Sequence, residues 1–404
     1  MNFQEFESDS EHTHTEDNAL TGDLPQISSL KDLISHVTGR GEETNISAED
    51  SGISEPLPFP FIAIVGQLEM KLALTLSLIN PNIGGVLLIG PRGTGKTTAV
   101  RSLLDLLPEV RRSKCIYGCM PEDIETAGID AVCPDCAKKF AEGDSLTVIE
   151  QSRLVELPLN ATLDEVVGGF DERARIHDRL RLKRGILAQA DQSVLYVDEI
   201  NLLSDEIVDA LLDAAAMGYF TVRRGPLSAT YRSRFTLIGS MNPEEGNLRP
   251  QIMDRFGLRV IVQGLSEPQE RLLAYRRVHE YLDNRRKFIQ KYDPETRISQ
   301  EEIQATRNRL KEVTIPDEIA QKGIRLIQQL KIESLRAEIT WFETARAYSA
   351  ADGRSEVTLD DLRVVAPMAL RLRKSEFTLD YLKQRQQEDS LLSSNLDELM
   401  SEKK

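Results

Sequence analysis

Three short runs of the chain are apolar without alternation: Gly85-Val86-Leu87-Leu88-Ile89, Val194-Leu195-Tyr196-Val197 and Phe235-Thr236-Leu237-Ile238-Gly239. Runs of this length read as strands buried on both faces of a parallel sheet. Helical periodicity fills the spaces around them, over residues 69–78, 97–107 and 205–216. Strands alternating with helices predict an α/β core. Phe220-Thr221-Val222 and Ala229-Thr230-Tyr231 flank Arg223-Arg224-Gly225-Pro226, which predicts a β-hairpin with a basic tip. Past residue 280 helical periodicity dominates. A charged stretch at 281–292 and an amphipathic one at 301–313 precede a packed helical set at 319–330, 335–351 and 359–373.

Composition adds boundaries. With 404 residues and 40% hydrophobic content, the chain buries a sizeable core and divides into two or three folded units. Residues 1–55 hold 13 Asp/Glu against Lys31 and Arg40, so most of the formal charge of -15 sits in an acidic arm. That arm cannot bury enough apolar surface to offset its ordering entropy and is expected to be disordered, apart from one amphipathic stretch at 27–37 (ISSLKDLISHV). An α/β domain over 56–280 follows, with a cysteine-bearing insertion at 111–150. A charged helical connector at 281–310, a helical domain at 311–376 and a polar tail at 377–404 complete the expected organisation. No stretch is long and apolar enough to span a membrane, and the N-terminus lacks a signal-peptide pattern, so a cytoplasmic protein is expected. Acidity without a basic stripe disfavours nucleic acid as a partner. A phosphate site remains compatible, because it is local and built mainly from backbone amides.

Such a site is written after the first strand. Gly90-Pro91-Arg92-Gly93-Thr94-Gly95-Lys96-Thr97 matches G-x-x-x-x-G-K-[ST] between an apolar strand and a helix, where its mechanism requires it. Its amides wrap phosphates, Lys96 reaches the β and γ oxygens of ATP, and Thr97 is a Mg²⁺ ligand. Asp198-Glu199 ends the second apolar run, giving a metal-side carboxylate at Asp198 and, at Glu199, a carboxylate to orient or deprotonate the attacking water. Asn242, after the third run, offers an amide to hold that water.

These residues resemble AAA+ ATPases, and over about residues 58–375 they are similar to subunit I of magnesium chelatase. The segments that carry the resemblance are FIAIVGQ at 61–67, the glycine-rich turn, VELPLNAT at 155–162, LYVDEINLL at 195–203, GSMNPEEG at 239–246 and LRPQIMDRFG at 248–257. Two later segments, SLRAE at 334–338 and residues 366–373, extend it. The resemblance implies an AAA+ parallel sheet sandwiched by helices and followed by a helical lid. It further implies a ring, expected to be a hexamer, with ATP between neighbours. Asn242 would then be sensor 1, Arg255 an arginine finger reaching the next subunit, and Arg336 sensor 2. Arg249 competes for the finger role, and pairing of Arg249 or Arg255 with Asp254 is the purely structural alternative. In that family the ring works with an integrin-like-domain subunit and a porphyrin-binding subunit that inserts Mg²⁺ into protoporphyrin IX during chlorophyll or bacteriochlorophyll synthesis. The longer acidic arm, Pro91 and the cysteine-bearing segment depart from the family pattern. They leave open a chaperone-like ATPase of the MoxR type that remodels or metal-loads an integrin-like-domain partner.

All four cysteines fall within one segment as Cys115-x3-Cys119-x13-Cys133-x2-Cys136. In a cytosolic chain such pairs on tight turns read first as zinc thiolates, with an iron–sulfur site or reduced, redox-switching thiols as alternatives. His12, His14, His36, His177 and His279 stand in no ligand-spaced pair near them.

Overall fold

The computed structural model describes residues 57–169, 182–246 and 248–373. By its contacts the chain divides into Met1–Pro56 and Leu57–Lys404, and the described residues all lie in the second. The acidic arm with its 27–37 stretch, His177 and the polar tail lie outside the described residues.

The second unit is built on a five-stranded parallel sheet of β1 (Val86–Ile89), β4 (Leu154–Leu157), β5 (Val194–Val197), β8 (Thr236–Met241) and β9 (Leu258–Ile261). Side by side they lie in the order β4-β5-β8-β1-β9. The unbroken apolar runs have a direct cause. Val86 and Leu88 belong to one core cluster, with the helix Leu68–Ile79 and the C-terminal helices, while Leu87 and Ile89 belong to another, with the helix Asp205–Met217. Both faces are covered, so every position in β1, β5 and β8 is buried. Two antiparallel pairs stand apart: β2 (Glu109–Ser113) with β3 (Thr147–Gln151), and β6 (Tyr219–Arg224) with β7 (Leu227–Arg232).

The helical region differs locally from the sequence reading. The helix after the glycine-rich turn is α-helical only over Lys96–Arg101 and tightens to a 3₁₀ turn over Ser102–Leu106. Leu107 is extended, the conformation a following proline imposes, which stops the helix at Pro108. The charged stretch at 281–292 is broken at Asn284, where the helix Pro268–Asp283 ends and Arg285–Arg309 begins. The Asn284 side chain accepts the amide of Lys287 at 3.0 Å, an N-cap that starts the second helix.

Three further helices, Asp317–Gln329, Arg336–Ala351 and Leu359–Leu370, form the lid. Trp341, fully buried, donates its indole N–H to the Leu362 carbonyl at 2.8 Å and ties two of them together. The lid joins the sheet through Asp254, which faces Arg373 at 3.1 Å, Arg259 at 3.4 Å and Arg336 at 3.6 Å, and accepts from the Ser334 hydroxyl at 2.9 Å. The side chains of Arg259 and Arg373 are 1% and 0% exposed. Asp254→Ala would leave those guanidinium groups with only carbonyl acceptors. It is expected to cost about 2–4 kcal/mol, read as a lowered denaturation midpoint, because a buried charge stripped of its partner is strongly destabilising.

Candidate active site

The strand order brings the motif residues together. Because β1, β8 and β5 are adjacent, the turns leaving their C-terminal ends converge on one crevice, where open α/β sheets bind ligands. Arg92 to Thr98, Asp198, Glu199, Ser240 and Asn242 line a cavity of about 180 Å³ there. Gly93 and Gly95 have φ of 76° and 86°, and no heavy atom lies within 4 Å of where a Cβ would sit. The turn therefore leaves an open cradle of amides that residues with side chains would strain or fill. Gly90 serves a different purpose, since a Cβ there would collide with the carbonyl of Val262, just past the end of the neighbouring β9.

Lys96 is buried, and its ammonium donates to the carbonyls of Gly90 at 2.7 Å and Pro91 at 2.9 Å. Burial pulls its pKa below the usual lysine range, against the opposing pull of Asp198, Glu199 and Glu245. The Thr97 hydroxyl donates to Asp198 at 3.1 Å, so the two expected Mg²⁺ ligands already face each other. Asp198 is further held by the hydroxyls of Tyr196, at 2.8 Å, and Ser240. Burial pushes the Tyr196 hydroxyl above its ordinary range, which keeps it a donor. The sequence reading missed Tyr196 and Ser240. Each stands two residues before a named site residue, hence on the same strand face, and that parity was the available signal.

Glu199 adopts a left-handed backbone, φ 47°, with its amide donating to Ser240 Oγ at 3.0 Å. Its carboxylate pairs with Arg92 at 3.3 Å, and Arg92 also meets Glu245 at 2.5 Å. Asn242 is buried at the end of β8 and accepts the Glu244 amide at 3.2 Å. Asn201 Oδ1 and Glu245 Oε2 are buried without a hydrogen-bond partner among the described residues. An open amide cradle, a buried lysine and a hydroxyl–carboxylate pair fit a nucleoside triphosphate with magnesium.

The arginines lie elsewhere. Arg255 meets Asp213 at 2.5 Å and Arg249 meets Asp205, both partners on the helix Asp205–Met217. The expected alternative pairing of either with Asp254 is not formed, because Arg259, Arg373 and Arg336 occupy that carboxylate. Neither Arg255 nor Arg336 lines the cavity.

Between β2 and β3, the sulfurs of Cys115, Cys119, Cys133 and Cys136 all lie within 4.8 Å of one another, and the thiols are free. Cys115 and Cys133 are 3.5 Å apart, and the amides of Tyr117 and Cys133 point at Cys115 and Cys119 sulfurs at 3.3 and 3.4 Å. Hydrogen bonding from Cys119 holds the Cys115 thiol down to about 4, with burial opposing. Burial pushes Cys136 up to about 12. Such a cluster can hold a metal ion. His279, by contrast, pairs with Asp283 at 3.0 Å on the surface.

Fold and site together define an AAA+ P-loop ATPase with a lid. The family model for magnesium chelatase subunit ChlI matches residues 61–255, and that for the AAA lid domain matches 321–393. A magnesium-chelatase subunit ChlI homolog of Methanocaldococcus jannaschii is 43% identical over 79% of this chain and 87% of its own length. The magnesium-chelatase subunit ChlI of Nostoc sp. is 40% identical over 81% of this chain and 87% of its own. A Cytophaga hutchinsonii structure assigned as an ATPase shares the fold at TM-score 0.51 and 18% identity, covering 82% of this chain and 91% of that one. The chain belongs to the magnesium-chelatase subunit ChlI family. Among the described residues no helix is long and apolar enough to cross a membrane.

Proposed function

We propose that this chain is the ATPase motor of a magnesium chelatase, working as a ring, expected to be a hexamer, in the cytoplasm. Its hydrolysis drives Mg²⁺ insertion into protoporphyrin IX by a porphyrin-binding subunit, through an integrin-like-domain subunit. The observation that supports this most is the 43% identity to a ChlI homolog across a chain whose Thr97, Asp198, Glu199 and Asn242 share one crevice. Lys96 and the cradle amides bind the phosphates, and Thr97 with Asp198 holds magnesium. Bound there, the metal supplies charge neutralisation on the β- and γ-phosphates. Glu199 leaves Arg92 to take the proton of the attacking water, which Asn242 orients. Arg255 acts on the neighbouring subunit's nucleotide and Arg336 reports nucleotide to the lid.

The test is reconstitution with a porphyrin-binding and an integrin-like-domain subunit, reading Mg-protoporphyrin fluorescence with ATP present. Formation that depends on this chain is expected. No formation, with ATP-dependent capture of the integrin-like-domain subunit alone, would favour a chaperone of that partner instead. The four cysteines are proposed to form a structural tetrathiolate site for Zn²⁺, whose ideal sulfur separation of about 3.8 Å, from metal–sulfur bonds of about 2.3 Å, lies within the observed spread.

A further inference from the structure

Over residues 114–146 only Gly118, Cys119, Met120, Cys136 and Leu146 are buried. Neither short helix here has a core of its own: Pro121–Ala127 buries nothing and Pro134–Ala141 buries only Cys136. A module this small cannot hold its shape by apolar burial alone and needs a staple. The sulfur cluster stands where that staple is required.

Besides β2, where Arg111 pairs with Glu122 at 2.7 Å and the Ser113 hydroxyl donates to the Cys119 carbonyl at 2.6 Å, the module meets the β6–β7 hairpin through a narrow set of contacts. The Tyr117 ring stacks on Tyr231 with centroids 5.6 Å apart, and the Tyr117 carbonyl accepts the Arg232 amide at 3.3 Å. Asp123 pairs with the Arg232 guanidinium, both side chains being about four-fifths buried, at 21% and 17% exposed. Gly118, at φ 80°, lets the chain pass so close that a Cβ would sit 2.8 Å from Arg232 Cβ. Tyr117 and Gly118 lie inside the Cys115 to Cys119 loop, and Asp123 is pinned by the Met120 amide at 2.9 Å, one residue past Cys119. Every contact residue is thus positioned by the ligand loop. A two-stranded hairpin is marginal by itself. Beyond the seat, it is held at its base by β6 against the helix Asp205–Met217 and by Phe220 against the second core cluster, and further out by the cluster of Ala188, Val222 and Tyr231 and the pairing of Arg224 with Asp164.

With zinc at the four sulfurs as proposed above, we infer that the metal-closed module is the seat that fixes the β6–β7 hairpin, so that losing the metal frees the hairpin while leaving nucleotide binding intact. The hairpin lies in the chain between Glu199 and Asn242, and Ser233 closes its base by donating its amide to the Gly218 carbonyl at 3.0 Å. The metal therefore governs a segment strung between two catalytic positions, in a module outside the phosphate cradle.

The experiment uses the full chain, purified without added metal, and measures zinc content, amide exchange over 219–232 and nucleotide affinity. Three samples are compared: native, stripped with a chelator and then reloaded with Zn²⁺, and Asp123→Ala, which breaks the seat but keeps every sulfur. About one zinc per chain is expected. Stripping and Asp123→Ala should each speed hairpin exchange about tenfold or more, reloading should reverse the first, and nucleotide affinity should stay within about twofold. One zinc per chain with hairpin exchange unchanged by stripping and by Asp123→Ala overturns the seat while the tetrathiolate stands. No metal, with four titratable thiols in the native chain, overturns the tetrathiolate and the seat with it.

Discussion

Glu199→Gln is expected to bind ATP and fail to hydrolyse it, whereas Lys96→Ala is expected to lose binding. The two side chains line the same cavity but meet different atoms of the reaction. Lys96 is a buried cation that, among the described residues, donates only to the carbonyls of Gly90 and Pro91, so its charge is available to phosphate oxygens entering the cradle. Removing charge-assisted bonds worth about 1.5–3 kcal/mol each should weaken nucleotide affinity about 100-fold or more. The Glu199 carboxylate pairs with Arg92, and that pair is exposed on the Arg92 side at 69%. Losing such a surface pair should change stability by no more than about 1 kcal/mol. Losing the carboxylate that accepts the proton of water should lower turnover about 10² to 10⁴-fold. Calorimetric titration with ATP and steady-state phosphate release separate the outcomes. Undiminished phosphate release by Glu199→Gln would remove Glu199 from the reaction.

The parts of the fold and site legible in the sequence are those fixed by local physics. β1, β5 and β8 were legible because burial on both faces removes polar positions from the strand, as the two core clusters meeting across Val86 to Ile89 require. The cradle was legible because a turn of positive-φ glycines before a helix leaves a written trace at Gly93 and Gly95. Side-chain partners were less so. The network of Tyr196 and Ser240 around Asp198 was hidden because a buried strand tyrosine reads as apolar, and its hydroxyl shows its use only once β5 and β8 lie side by side. For Arg249 and Arg255 the structural alternative to the finger role was pairing with the adjacent Asp254. The fold puts Asp205 and Asp213 beside them instead, some 40 residues earlier, and gives Asp254 to the lid. The cysteine spacing announced two tight turns, but convergence of all four sulfurs depends on the antiparallel pairing of β2 with β3, which closes the loop between them.

Arg255→Ala is expected to lower turnover about 10³-fold or more while leaving ATP binding near normal, the effect of removing an arginine finger. In its own chain the Arg255 guanidinium is directed to Asp213 at 2.5 Å and takes no part in lining the nucleotide cavity. A cation that serves phosphoryl transfer from there must do so in a neighbouring subunit, and a head-to-tail ring supplies one. Complementation distinguishes this from loss of a structural ion pair. Lys96→Ala subunits keep the finger but lack the cradle lysine, and Arg255→Ala subunits keep the cradle but lack the finger. Each mutant ring alone should be inactive. In rings assembled at random from equal amounts, about one interface in four joins an intact cradle to an intact finger, so activity should return to at most about a quarter of the wild-type level. Arg249→Ala is the control, since Arg249 pairs with Asp205 on the same helix and is the rival for the role. If mixed rings form yet stay inactive, and Arg249→Ala complements Lys96→Ala instead, the finger is Arg249.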